Sequence, residues 1–345
     1  MMTTYLYTAL AGDDTLSIFS LAPDTGALTH QYDVQQADQP SPLAVDPAKR
    51  FCFVGLRKPG AFGLASFRIE AQTGRLTSLG AISVDGNPVY LATDHTGRYL
   101  LSAYYYQRSV AVHAIGEDGR LHPTPIEWHQ TDIGAHAIET DASNRFVFVP
   151  HIAPGGALDG PNAIFQFHFD DRTGRLRPND PATVTPPGLD GPRHICFHPT
   201  LDVVYSSNEQ GCGVTAYHLD TARGTLAPFQ TVSTLPSDFT GRNTCSQIRI
   251  TPNGRFLYAP NRGHNSIAGF AVDAATGQLT AIGHTPTDPV PRAFNLDPQG
   301  HFLFASGLET GRLLSFRIAA ETGQLAPLDV YDMGKQPMWV LCVEL

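Results

Sequence analysis

Arginine and histidine return at one register of this 345-residue sequence. Where successive proline-led apolar runs open, the residue after the proline slot is Ser41, Val89, His136, Arg193, Ser246, Arg292 and Met338. Three of these seven carry an imidazole or a guanidinium where a small or apolar side chain is expected. A second register, counted forward into the loops that follow, supplies Arg57, Tyr105, Ile152 beside His151, Glu209, Arg262 and Leu308 beside Glu309. Brought to one place, Arg57, Arg193, Arg262 and Arg292 would hold an anion, because a planar guanidinium grips a carboxylate or phosphate through two parallel hydrogen bonds. His136 adds a group that takes or gives a proton near neutral pH, and Glu209 adds a carboxylate.

Each of these residues also has a structural reading. Arg193 and Arg292 could pin neighbouring strands through their carbonyls, His136 could be a satisfied core histidine, and Glu209 could serve as an ion-pair partner of Arg193 or Arg262. Strict alternation turns His194 and His198 away from the channel, so both are expected to be structural. Tyr90 and Trp339 fit either packing or a platform for a sugar ring.

The elements that must position these residues follow from a repeat. Thr-Gly-x-Leu turns stand at Thr25-Gly26-Ala27-Leu28, Thr73-Gly74-Arg75-Leu76, Thr173-Gly174-Arg175-Leu176, Thr276-Gly277-Gln278-Leu279 and Thr322-Gly323-Gln324-Leu325. Looser copies, Gly119-Arg120-Leu121 and Gly224-Thr225-Leu226, bring the total to seven, with a period of roughly 50 residues. In step with them run turns such as Asp46-Pro47-Ala48-Lys49-Arg50 and Thr251-Pro252-Asn253-Gly254-Arg255, each followed by alternating aromatic and apolar residues. Four short strands, A to D, fit each period. The expectation is an all-β fold over residues 1–345: a seven-bladed β-propeller with four antiparallel strands per blade. The segment Gln336–Val343 reads as an A strand and Tyr5-Leu6-Tyr7 as a B strand, so the C-terminal strand should pair with the N-terminal strands and close the ring. On that plan both kinds of turn lie on one face, and the two registers meet at the opposite one. The Gly/Pro-rich connection from His151 to Asn162 reads as a flap.

Composition narrows the class. A net charge of −9 with no lysine/arginine run speaks against nucleic acid and anionic membrane surfaces as partners. The sequence shows no signal-like opening and no apolar stretch long enough to span a membrane. Five cysteines without a CxxC pair suit a reduced, cytoplasmic protein. No HExxH motif occurs, and an arginine-rich mouth repels divalent cations, so neither metal nor cofactor is expected.

Several blocks resemble the bacterial propeller-type 6-phosphogluconolactonase family: Gly-Pro-Arg-His-x-x-Phe-His-Pro at 191–199 with Asn208-Glu209, Asn261-Arg262-Gly263 with Ser266-Ile267, Pro291-Arg292-Ala293-Phe294, and Gln336-Pro337-Met338-Trp339-Val340. The resemblance covers essentially the whole chain. It implies a seven-bladed propeller that hydrolyses 6-phosphoglucono-1,5-lactone in the pentose phosphate pathway without a required metal. The related fungal carboxymuconate cyclases have a proposed site of one histidine, two arginines and a glutamate, which would fall on His136, Arg193, Arg262 and Glu209. Two departures stand out: Gln247 occupies a position usually acidic, and the connection from His151 to Asn162 is long.

The expectation is therefore a sugar-lactone hydrolase. His136, Arg193 and Glu209 are its candidate catalytic residues, with His136 or Glu209 as the base and Arg193 at the oxyanion. Arg262, Arg292, Arg57, His151, Tyr105, Gln247 and Trp339 are candidates for binding a small anionic or sugar lactone. A monomer or homodimer is expected. An unphosphorylated aldonolactonase, a carboxymuconate-type cycloisomerase and a non-catalytic propeller scaffold are the alternatives.

Overall fold

The structure, a computed structural model, describes residues 2–152 and 160–345. Most of the 151–162 connection lies outside the described residues, and with it the expected flap. Among the described residues, seven antiparallel sheets follow one another around a ring. The inner strands of the first four blades are Pro40–Val45, Pro88–Thr93, Glu139–Thr140 and Pro192–Phe197. In the fifth blade the inner strand is split into Thr244–Cys245 and Arg249–Ile250, both paired with Phe256–Arg262. Pro291–Leu296 opens the sixth blade, and Pro337–Glu344 is innermost in the seventh.

Closure occurs as the terminal segments predict. Pro337–Glu344 runs antiparallel to Thr4–Leu10, with Thr4 opposite Glu344 and Ala9 opposite Trp339. The second strand of each blade is covered on both faces by neighbouring blades, so it is buried almost throughout. Phe51–Leu56 and Tyr99–Tyr104 are buried at every residue. Outer strands such as Leu28–Gln35 keep mostly exposed residues because one side meets water.

Both repeated turns have physical causes. The Thr-Gly-x-Leu glycine adopts a positive φ, and its bare face presses on an aromatic ring of the preceding blade. Gly224 has φ 68°, and a Cβ there would lie 2.0 Å from Cδ1 of Phe146. Five other copies repeat the contact, pairing Gly26 with Phe302, Gly74 with Tyr5, Gly119 with Phe51, Gly174 with Tyr99 and Gly323 with Phe256, while Gly277 faces the Tyr205 hydroxyl and Val203. Tyrosine hydroxyls bind the same turns, with Tyr7, Tyr205 and Tyr258 donating to the carbonyls of Gly74, Gly277 and Gly323 at 2.8, 2.7 and 2.6 Å. At the A–B turns a carboxylate accepts the N–H groups that open the B strand. Asp94 Oδ1 takes those of Arg98 and Tyr99 at 2.9 Å each, and Asp46 and Asp141 do likewise. In the fourth blade His198 Nδ1 instead accepts within the turn, from Thr200 and Leu201 at 3.2 and 3.0 Å.

Candidate active site

The face opposite these turns carries the charged register, and the backbone there is bulged. Pairing slips between Pro88 and Tyr90, Pro192 and His194, and Pro291 and Ala293, so Val89, Arg193 and Arg292 each stand as an extra residue in an inner strand. In the third and fifth blades His136 and Ser246 lie in gaps of the ladder, and their N–H groups bond the carbonyls of Pro150 and Pro260. A bulge bends the strand and re-aims the side chain of its extra residue. The repeat thus lifts one side chain per blade toward the mouth, and the blade's sequence decides what that side chain is.

Glu209 lies between two guanidiniums. Its Oε2 is 2.7 Å from Arg193 Nε and its Oε1 is 3.0 Å from Arg262 Nη2, with side-chain exposures of 16%, 3% and 12% respectively. The Arg193 contact lies off the N–H direction, so it is a close ion contact rather than an aligned hydrogen bond. Arg262 Nη2 also donates to the Cys245 carbonyl at 2.6 Å. Arg193 Nη1 points to His194 Nε2 at 3.2 Å. Among the described residues, Nη2 of Arg193 makes no hydrogen bond and Arg292 has no side-chain partner. Arg57 donates Nε–H to Asn87 Oδ1 at 2.6 Å. Burial lowers Arg292 and Arg57 to about 10 each, so both stay charged at neutral pH. Four guanidiniums against one carboxylate make the mouth strongly positive, although the whole chain is acidic.

His136 is 7% exposed, and its Nδ1 is buried without a hydrogen-bond partner among the described residues. Burial, reinforced by Arg193 and Arg292, holds it well below the ordinary histidine range, so the ring is neutral at pH 7. Tyr105 stands edge-on to it at 6.2 Å, and burial raises that phenol above its usual value. Beneath this group Tyr90, His194 and Trp339 meet across the channel, from blades that do not adjoin one another. Their ring centroids lie 4.8 Å apart for Tyr90–His194, 5.5 Å for Tyr90–Trp339 and 6.0 Å for His194–Trp339. They form the floor of the mouth.

The structure thus brings together His136, Arg193, Glu209, Arg262, Arg292, Arg57 and Tyr105, with Trp339 in the floor. It sets two of the expected binding residues apart. His151 is fully buried with both ring nitrogens used, Nδ1 with the Val149 carbonyl at 2.9 Å and Nε2 with Thr131 Oγ1 at 3.1 Å. Gln247 is 1% exposed, and its Oε1 accepts the Phe294 N–H at 2.9 Å, tying the fifth blade to the sixth. A third expectation is corrected. His194 does not turn away from the channel but meets Tyr90 and Trp339 there and contacts Arg193, because the bulge at Arg193 breaks the two-residue alternation on which that expectation rests. The bulge leaves no mark in the sequence beyond the Pro-Arg-His order itself.

Residues 2–342 match the family model described as lactonase, seven-bladed beta-propeller. The 6-phosphogluconolactonase of Pectobacterium carotovorum subsp. carotovorum (strain PC1) is 35% identical over the whole of both chains. That of Cronobacter sakazakii is 34% identical over 97% of each. The solved structure of the periplasmic gluconolactonase of Pseudomonas aeruginosa superposes with a TM-score of 0.90 at 25% identity, covering 99% of both chains.

Proposed function

Because the chain belongs to the seven-bladed β-propeller lactonase family, we propose that its arginine-lined mouth hydrolyses 6-phosphoglucono-1,5-lactone to 6-phosphogluconate. The observation that carries this reading is the gathering of Arg193, Arg292 and Arg57 around one buried, neutral histidine, with Arg262 joined to Arg193 through Glu209. Arg292 and Arg57, the least engaged of the four, hold the phosphate, with Arg262 beside them. Water adds to the lactone carbonyl carbon while His136 takes its proton, a contribution of about 10²–10⁴ in rate. The carbonyl oxygen becomes an oxyanion facing the open Nη2 of Arg193, a donor worth about 10²–10³. Collapse of the tetrahedral intermediate breaks the bond to the ring oxygen, which takes the proton back from His136. The new carboxylic acid then releases its own proton to solvent.

Glu209 is a poor base in this arrangement, since each of its oxygens already faces a guanidinium. Its part is to hold Arg193 and Arg262. The crowd of positive charge repels a divalent cation, so the reaction proceeds without metal. The whole chain acts as one propeller domain, as a monomer or homodimer, in the cytoplasm. No helix among the described residues is long and apolar enough to cross a membrane.

A second reading, an unphosphorylated gluconolactone as substrate, is favoured by the likeness to the P. aeruginosa gluconolactonase. Stopped-flow hydrolysis of the two lactones side by side, with a chelator present, separates them. The first reading expects kcat/KM at least about 10-fold higher for the phosphorylated lactone, the effect of a charge-assisted clamp. Equal rates favour the second reading, and hydrolysis of neither overturns both.

A further inference from the structure

We infer that His194, which takes no part in the reaction as written, is the positioning residue that aims the Arg193 guanidinium at the oxyanion. The inference rests on the lactonase reading above. Neighbouring residues of a strand face opposite sides, so their side chains do not ordinarily meet. Here the bulge at Arg193 brings the pair together, with Nη1 of Arg193 3.2 Å from Nε2 of His194. A guanidinium only donates, so His194 must accept through Nε2 and carry its hydrogen on Nδ1. Glu209 meets the same guanidinium at Nε. Two of the three nitrogens are thereby held from different directions, and the third, Nη2, is left for the mouth.

His194 is itself fixed. It is fully buried between Tyr90 and Trp339, and its backbone N–H meets Ser207 Oγ at 3.3 Å. The Tyr90 hydroxyl donates in turn to the Glu139 carboxylate. Nothing in the fold calls for an imidazole at this register, since Ala137 and Ala293 occupy it in the third and sixth blades. The ring also carries a cost: its buried Nδ1 has no partner among the described residues, a loss of the kind that destabilises a fold. A donor must sit within about 0.5 Å of its productive place to stabilise a transition state, and the clamp by Glu209 and His194 supplies that precision.

The test uses three substitutions in the full chain, with 6-phosphogluconolactone as substrate. Gln reaches to the place of Nε2 and accepts there, Asn reaches only to that of Nδ1, and Phe accepts nowhere. The oxyanion contact exists only in the transition state, so His194→Phe and His194→Asn should lower kcat by about 10- to 100-fold and leave KM within about threefold. His194→Gln should restore most of that loss. A merely structural histidine would instead raise KM and lower Tm together, with Gln and Asn alike. The inference is overturned if Asn and Gln give the same kcat, or if His194→Phe turns over like the wild type. Should the Phe variant fail to fold, the Gln–Asn comparison decides. Arg193→Ala separates the two levels. Full activity in that variant defeats the lactonase roles themselves, whereas a dead Arg193→Ala beside wild-type kcat in every His194 variant defeats this inference alone.

Discussion

Replacing Glu209 by Gln should destabilise the protein while barely changing its shape. The carboxylate lies 2.7 Å from one guanidinium and 3.0 Å from another, in a site where none of the three side chains is more than 16% exposed. At an effective dielectric constant of ~20 each contact has a gross attraction of about 6 kcal/mol, most of it offset by desolvation. An amide keeps one acceptor for one arginine and turns an NH₂ toward the other, donor against donor. Breaking a buried pair in this way costs about 3–5 kcal/mol net. With an unfolding entropy of about 2.1 cal/mol/K per residue, the 345 residues translate that loss into a fall in Tm of roughly 4–7 °C. Differential scanning calorimetry in a buffer free of multivalent anions measures it. Inorganic phosphate should recover part of the deficit, because an anion that binds only the folded state stabilises it. A Tm within about 1 °C of wild type would refute the reasoning, since the carboxylate would then not be offsetting the buried positive charge.

Two further outcomes follow from the scaffold. Burial holds His113 and His151 at about 4, below the usual 6.5. Their neutral forms therefore contribute stability that is complete above pH 6.5 and is lost as pH falls toward 4, at about 1.4 kcal/mol per pH unit for each histidine. His151→Gln should make urea-derived stability less steep by about one proton over that window, and an unchanged slope would contradict the assignment. At the turns, Gly224→Ala must fit a Cβ 2.0 Å from Phe146, whereas Gly60 has a similar φ of 84° with nothing within 4 Å. Gly60→Ala should cost about 1 kcal/mol and Gly224→Ala about 3 or more. Equal costs would mean that the glycine–aromatic socket does not join the blades.

The ring was legible because its devices recur. Each Thr-Gly-x-Leu turn needs a residue without a Cβ against the preceding blade, and each Asp-led turn needs a carboxylate for two N–H groups. Chemistry constrained in that way leaves a period in the sequence. The two registers that assembled Arg193, Arg262, Arg292 and His136 were legible for the same reason, since they are fixed offsets from those turns. What stayed hidden depends on local departures from regularity. His194 was misplaced because alternation was carried through a bulge. His151 and Gln247 were expected at the mouth because register specifies nearness and not direction. Only the partners Val149, Thr131 and Phe294 reveal that both side chains are already engaged. The sequence allows Glu209 to be either base or ion-pair partner, and the choice turns on two distances that no spacing encodes.

The central claim is that this mouth hydrolyses a lactone through Arg193 and His136. Its most direct test is the stopped-flow rate on 6-phosphogluconolactone of the wild type, Arg193→Ala and His136→Ala, each corrected for spontaneous hydrolysis. The account predicts a fast wild type and losses in kcat of about 10²-fold or more in both variants. Wild-type rates in both variants would contradict it.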